Sequence, residues 1–189
     1  MLLLYNIKMK YGGTMKKFVF LEGLPDVGKT TLIKKLMSLN CKELKTVDEI
    51  IIEGKQEGQA FFMQNDIAKI EKYDEGLIFV DRGLISTLSY NQAKNIITTN
   101  VDIEKVEEWF EKNKSIYEDS IIIFIQDSTV HLSCINKFDP YGSVENQKLL
   151  NAISLYNCKR YCKEVIEVDK NKDSVESIAY EIIDKYLCS

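Results

Sequence analysis

The chain has 189 residues, 45% of them hydrophobic, and 25 Lys and Arg against 29 Asp and Glu give a formal net charge of −4. That length and apolar content suit one globular domain with a full core, and the interspersed, slightly acidic charge excludes the basic stripe of a nucleic-acid binder. No stretch reaches the roughly 18 apolar residues of a membrane helix, the Met1–Tyr5 run is too short for a signal peptide, and five cysteines without a C-x-x-C pair point to buried thiols in a reducing, cytoplasmic setting.

Residues 1–14 read as an N-terminal extension, and Met15 as the natural start of a single domain over 15–189. A short apolar run, Phe18-Val19-Phe20-Leu21, predicts a buried strand over 17–21, and Leu32, Ile33 and Leu36 carry helical spacing over 29–39. Between them stands Gly23-Leu24-Pro25-Asp26-Val27-Gly28-Lys29-Thr30, a complete G-x-x-x-x-G-K-T phosphate loop. Its chemistry is specific: Gly28 lets backbone N–H groups turn inward around an anion, Lys29 reaches the β- and γ-phosphates, and the Thr30 hydroxyl ligates Mg²⁺.

Leu44–Val47 predicts a weak second strand ending at Asp48 and Glu49, 58–73 a helix stopped by Glu75-Gly76, and Leu77–Val80 a buried strand ending at Asp81. Helices are predicted over 84–97 and 102–117, the latter opened by Asp102 and carrying a core stripe of Val106, Trp109 and Phe110. Ile121–Ile125 is the strongest strand pattern, and Asp139-Pro140-Tyr141-Gly142 is turn chemistry within a loop over 128–142. A long helix over 143–163, a strand over 165–168 and a closing helix over 173–187 complete the pattern.

Alternating strands and helices predict a parallel sheet with helices on both faces. In such sheets ligands sit at the carboxyl ends of the strands, so Glu22, Asp48, Glu49, Asp81, Arg82, Gln126 and Asp127 are the positions to weigh. Asp81-Arg82 is the most suggestive pair. An acid there can hold a metal or accept a proton, and a guanidinium can fork onto an acceptor phosphate.

The segment Phe20-Leu21-Glu22-Gly23 through Thr31 resembles the opening of thymidylate kinases and the related deoxynucleoside kinases, and Asp81-Arg82 with Ser86 and Tyr90 is similar to the thymidylate kinase D-R-x-x-x-S-x-x-x-Y signature. The likeness spans about residues 17–91. It implies a three-layer P-loop NTPase fold with a central parallel five-stranded sheet, and ATP with Mg²⁺ as donor. The reaction would move the γ-phosphoryl group to a nucleoside monophosphate. The residues it implies are Lys29, Asp81 and Arg82 for catalysis; Gly23, Asp26, Val27, Gly28, Lys29, Thr30 and Thr31 for the donor phosphates; Thr30 and Asp81 for the metal; and Glu49, Phe62, Arg82 and Tyr90 for the acceptor. Its substrate would be a nucleotide or nucleoside, and it leaves a homodimer open.

The chain departs from that pattern in its arginines, which number two, Arg82 and Arg160. The phosphate loop carries Asp26 where an arginine can stand, the lid-like stretch 128–148 offers Lys137 and Lys148, and helix 58–73 has no arginine to read a base. Gln59, Gln64, Asn65 or Asp66 could read a base edge instead, although a solvated helix face is the plainer reading of each. Tyr141, His131 and Arg160 read as surface residues, with closure over a nucleotide the alternative for Tyr141 and a phosphate contact that for His131 and Arg160, and Phe61 and Phe62 as packing against the sheet with a base stack as the alternative. Glu49 offers a base toward a sugar hydroxyl and so keeps a deoxynucleoside kinase open, while the scarcity of arginine keeps open a nucleotide-binding regulator without turnover.

Overall fold

The computed structural model describes residues 15–55, 57–127 and 139–188. The elements run β1 (Lys16–Glu22), α1 (Lys29–Met37), β2 (Leu44–Val47), α2 (Gly58–Glu71), β3 (Gly76–Asp81), α3 (Leu84–Thr98), α4 (Ile103–Asn113), β4 (Ile121–Gln126), α5 (Val144–Tyr161), β5 (Glu164–Asp169) and α6 (Val175–Ile183). All five strands pair in parallel in the order β2-β3-β1-β4-β5. β1 therefore lies at the centre, between β3 and β4, and its carboxyl end opens where the strand order reverses.

The two faces of the sheet make two cores. Val19, Leu21, Leu77, Phe79, Ile121, Ile123 and Ile125 pack against Leu32, Ile33 and Leu36 of α1 and Ala179 and Ile182 of α6. Phe18, Phe20, Ile78, Val80, Ile122 and Phe124 pack against Met63 of α2, Leu84, Ile85 and Leu88 of α3, Val106 and Phe110 of α4, and Cys158 of α5. A strand buried on both faces must be apolar at every position, which is why β1, β3 and β4 read as continuous hydrophobic runs. The result is the three-layer α/β architecture expected from the sequence.

Several stretches differ from expectation; the closing helix predicted over 173–187 ends at Ile183, and a π-helical turn, Asp184–Cys188, follows. The helix predicted over 102–117 ends at Asn113, and a 3₁₀ turn, Lys114–Tyr117, follows. The tighter turn carries Tyr117 fully inside, with its ring 4.8 Å from that of Phe20 and its hydroxyl accepting the Ile85 N–H at 3.1 Å. Of the lid-like stretch, 128–138 lies outside the described residues, and with it His131 and Lys137. Residues 139–143 form a turn, and Lys148 lies in α5, whose start is capped by Ser143 Oγ accepting the Asn146 N–H at 3.1 Å. The extension 1–14 also lies outside the described residues. Among the described residues no helix is long and apolar enough to cross a membrane.

Candidate functional site

The phosphate loop leaves β1 through Gly23, whose φ is +131° and whose added Cβ would meet the Ile125 carbonyl oxygen at 2.2 Å, so only glycine fits. Val27 anchors the loop by burying its side chain in the α1-side core, while Asp26 adopts φ +61° with its side chain in solvent. Gly28 caps α1 in the left-handed conformation, and the unpaired N–H groups of that first turn face the loop. Of the residues expected at the donor phosphates, Val27 can contribute through its backbone alone, and Thr31 stands exposed on α1.

Lys29 is buried, and its ammonium donates to the Gly23 and Leu24 carbonyl oxygens at 3.1 and 2.6 Å. Burial, then the Arg82 charge, push its pKa down to about 7 against the pull of Asp81, Glu49 and Glu22. An anion in the loop would reverse that shift.

Next to it, the Thr30 hydroxyl donates to Asp81 Oδ2 at 2.6 Å. Asp81 is fully buried at the end of β3, and its other oxygen, Oδ1, has no hydrogen-bond partner. A buried carboxylate oxygen left without a donor is costly. Together with the hydroxyl it forms a hard-oxygen pair of the kind that suits Mg²⁺, which takes one or two protein oxygens and completes its shell with water and phosphate. The residues thus fit the metal. Among the described residues no cluster of three acidic, His or Cys side chains offers a cage of its own.

Beyond Asp81 the chain turns sharply. Arg82 sits at φ +60°, its N–H donating to the Leu21 carbonyl at 3.0 Å. Its Nε lies 2.9 Å from Glu49 Oε1, an ion pair whose N–H is not aligned for a hydrogen bond. Glu22, fully buried, accepts the Gly83 N–H at 2.9 Å and the Ser86 hydroxyl. Burial pushes its pKa up to about 7, opposed by Ser86 and Arg82.

A cavity of about 680 Å³ opens from this corner, walled by Glu49, Phe62, Arg82, Ser86, Tyr90 and Tyr141 among others. Phe62 is 37% exposed and edge-to-face with Phe61 at 5.4 Å, so it lines the cavity and does not pack against the sheet. Tyr90 donates to Asp139 Oδ2 at 3.0 Å, and its ring lies 5.8 Å from that of Tyr141, tilted by 42°. Tyr141 is half-buried and close enough to feel the Arg82 charge, where a surface tyrosine was expected.

The base-reading candidates separate. Gln59 reaches the cavity and donates to Asn91 Oδ1 at 3.1 Å. Asn65 is buried and occupied with backbone, accepting the Ile51 N–H at 2.9 Å and donating to the Glu49 carbonyl at 2.8 Å, which holds the Glu49 loop. Asp66 is buried with one oxygen on Lys69 and the other on Thr87. Neither faces a ligand, because α2 turns them into the protein. Gln64 is exposed. Arg160 is exposed on α5 with its guanidinium 5.1 Å from the Tyr161 ring, apart from the cavity. Sequence reasoning passed over Lys69 altogether and listed Glu22 without a role. A lysine three residues after an acid on a helix reads as a solvated pair, and nothing local marks Lys69 as buried.

No family model matches the sequence, and no curated protein sequence matches it. Solved structures do share the fold. The thymidylate kinase from Candida albicans superposes with a TM-score of 0.57 at 14% identity, over 92% of this chain and 93% of that one. The thymidylate kinase from Ehrlichia chaffeensis gives 0.57 at 14% identity, over 90% and 98%. The YorR protein from Bacillus subtilis, solved in complex with phosphorylated GDP, gives 0.53 at 18% identity, over 88% and 93%. The fold is that of the thymidylate kinase-like P-loop kinases.

Proposed function

We propose that this chain is a nucleotide kinase that transfers the γ-phosphoryl group of ATP to a nucleoside monophosphate. The observation that carries the reading is the 2.6 Å contact between Thr30 and Asp81, which joins the phosphate loop to the Arg82 corner of the cavity. Donor phosphates and acceptor would then meet in one crevice, as an in-line transfer requires.

In this reading the loop N–H groups hold the β- and γ-phosphates, and Lys29 moves from the Gly23 and Leu24 carbonyls onto them. Thr30 and Asp81 would hold Mg²⁺, which supplies neutralisation of phosphate charge when bound. Arg82 grips the acceptor phosphate through its fork, while Phe62, Tyr90 and Tyr141 enclose its base and sugar and exclude water. Phosphoryl transfer asks of the protein chiefly position and positive charge.

One observation favours a second reading, a deoxynucleoside kinase. Glu49 lies 2.9 Å from Arg82, where a carboxylate would repel an acceptor phosphate and would accept a proton from a sugar hydroxyl. Incubation with Mg-ATP and a panel of deoxynucleosides and their 5′-monophosphates tests both. ADP formed with monophosphates alone supports the first reading, and with nucleosides alone the second. ATP binding with no ADP across the panel supports a regulator without turnover.

A further inference from the structure

Asp81 and Arg82 end a strand in a conformation that needs support. Arg82 is a non-glycine residue at φ +60°, a region that persists only where the surroundings over-determine it. The surroundings are charged and dry. The Lys69 ammonium, 2% exposed, donates to the Asp81 carbonyl at 3.2 Å, to the Arg82 carbonyl at 3.3 Å and to Asp66 Oδ1 at 3.1 Å. All three of its donors are spent. Asp66 is fixed in turn by the Thr87 hydroxyl at 2.7 Å. From β1, Leu21 and Glu22 take the Arg82 and Gly83 N–H groups at 3.0 and 2.9 Å.

Two adjacent carbonyls converging on one buried cation is a constraint on direction. With them held on the α2 side, the Asp81 carboxylate points at Thr30 and the Arg82 guanidinium at Glu49 and Tyr141. A helix-surface lysine would leave both side chains free to swing. A buried ammonium is expensive to desolvate, and a saturated aliphatic side chain would fill the same space without that cost.

We propose that Lys69 is a positioning residue of this site, an ammonium that acts through the Asp81 and Arg82 carbonyls to hold both side chains on the crevice. The proposal rests on the phosphotransfer reading for its kinetic consequences, although its geometric consequence does not.

The test compares Lys69→Met with Asp66→Asn. The first removes the hold on both carbonyls, and the second keeps it while removing the carboxylate partner. The probe is whichever deoxynucleoside or 5′-monophosphate gives the most ADP with the unaltered protein. Lys69→Met is expected to raise the acceptor KM and lower kcat by about 10- to 100-fold, the scale of a misplacement near 1 Å, with the KM for ATP within about twofold. Asp66→Asn lowers Tm comparably but keeps the acceptor KM within about twofold of the parent. Equal KM shifts in the two variants, or parental kinetics per folded molecule in Lys69→Met, would overturn the proposal. If Lys69→Met does not fold, Lys69→Gln, which donates to the same carbonyls without charge, replaces it with the same expectations at reduced size.

A second readout needs no turnover. The chain has two arginines, so a ¹⁵N spectrum shows two Nε–H signals, and Arg160→Lys assigns them. Lys69→Met should shift the Arg82 signal and leave that of Arg160 in place. An unmoved Arg82 signal overturns the positioning role. An absence of ADP in the unaltered protein instead overturns the kinase reading and leaves this result standing.

Discussion

Thr30 and Asp81 are 51 positions apart in sequence, yet the Thr30 hydroxyl lies 2.6 Å from Asp81 Oδ2, and Asp81 Oδ1 beside it has no partner. That one contact welds the first turn of α1 to the end of β3 and leaves a buried carboxylate oxygen without a donor. Asp81→Asn keeps the shape and removes the charge. It should raise the Mg²⁺ concentration needed for half-maximal ADP formation by about 10- to 100-fold or more, the range seen when metal-supporting groups are removed. A Mg²⁺ titration in which the variant overlays the parent would remove Asp81 from the metal site.

Arg82 and Glu49 line the same cavity and, in the proposed reading, are expected to part company on mutation. A lost charge-assisted fork costs about 1.5–3 kcal/mol, so Arg82→Ala should raise the KM for a monophosphate acceptor by about 10- to 150-fold. Glu49→Gln should leave that KM unchanged or lower it, since it removes a repelling charge. The opposite pattern, an unmoved KM in Arg82→Ala with kcat collapsing in Glu49→Gln, is the signature of a nucleoside acceptor and its proton.

Glu22 sets a pH dependence of stability. Its folded-state pKa is raised to about 7 from an ordinary 4.5, so the folded chain holds a proton that the unfolded chain releases between those values. The contribution is complete below about pH 4.5 and is lost as pH rises through 7. Glu22→Gln, which can keep an acceptor for Gly83 N–H and a partner for Ser86, should therefore gain on the parent by on the order of 1–3 kcal/mol between pH 5 and 8. Urea unfolding of both proteins across that range checks it. A constant difference between them would mean that Glu22 is ionised in the fold at all these pH values.

Gly23 tests the loop itself. A methyl group there would meet the Ile125 carbonyl oxygen at 2.2 Å on a backbone already at φ +131°. Gly23→Ala should cost more than about 2 kcal/mol of stability, measured by denaturant midpoint. Gly28→Ala has open space around the added carbon and suffers only its positive φ, so it should cost less.

What the sequence showed of this architecture follows from where the physics is local. β1, β3 and β4 were legible because strands buried on both faces must be apolar throughout, and the phosphate loop because its glycines and Lys29 stand in fixed register. The end of α4 was not legible. Val106, Phe110 and Tyr117 keep helical spacing, and the 3₁₀ turn that carries Tyr117 inward is chosen by the Phe20 ring from a distant strand. The inner face of α2 was misread for a plainer reason. Charged residues are read as facing water, whereas Asp66 and Lys69 are buried together with Asn65 beneath the Arg82 corner. Tyr141 was placed on the surface because its neighbours, Arg82 and Tyr90, lie far away in sequence.

In the proposed function the phosphate loop and the Arg82 cavity are two halves of one phosphotransfer site. The most direct measurement is acceptor-dependent ADP formation from Mg-ATP by the unaltered chain and by Lys29→Ala, over deoxynucleosides and their 5′-monophosphates, with folding of both checked by circular dichroism. ADP should rise with at least one acceptor and disappear in Lys29→Ala while the fold persists. ADP formation that ignores every acceptor, or that survives the loss of Lys29, would contradict it.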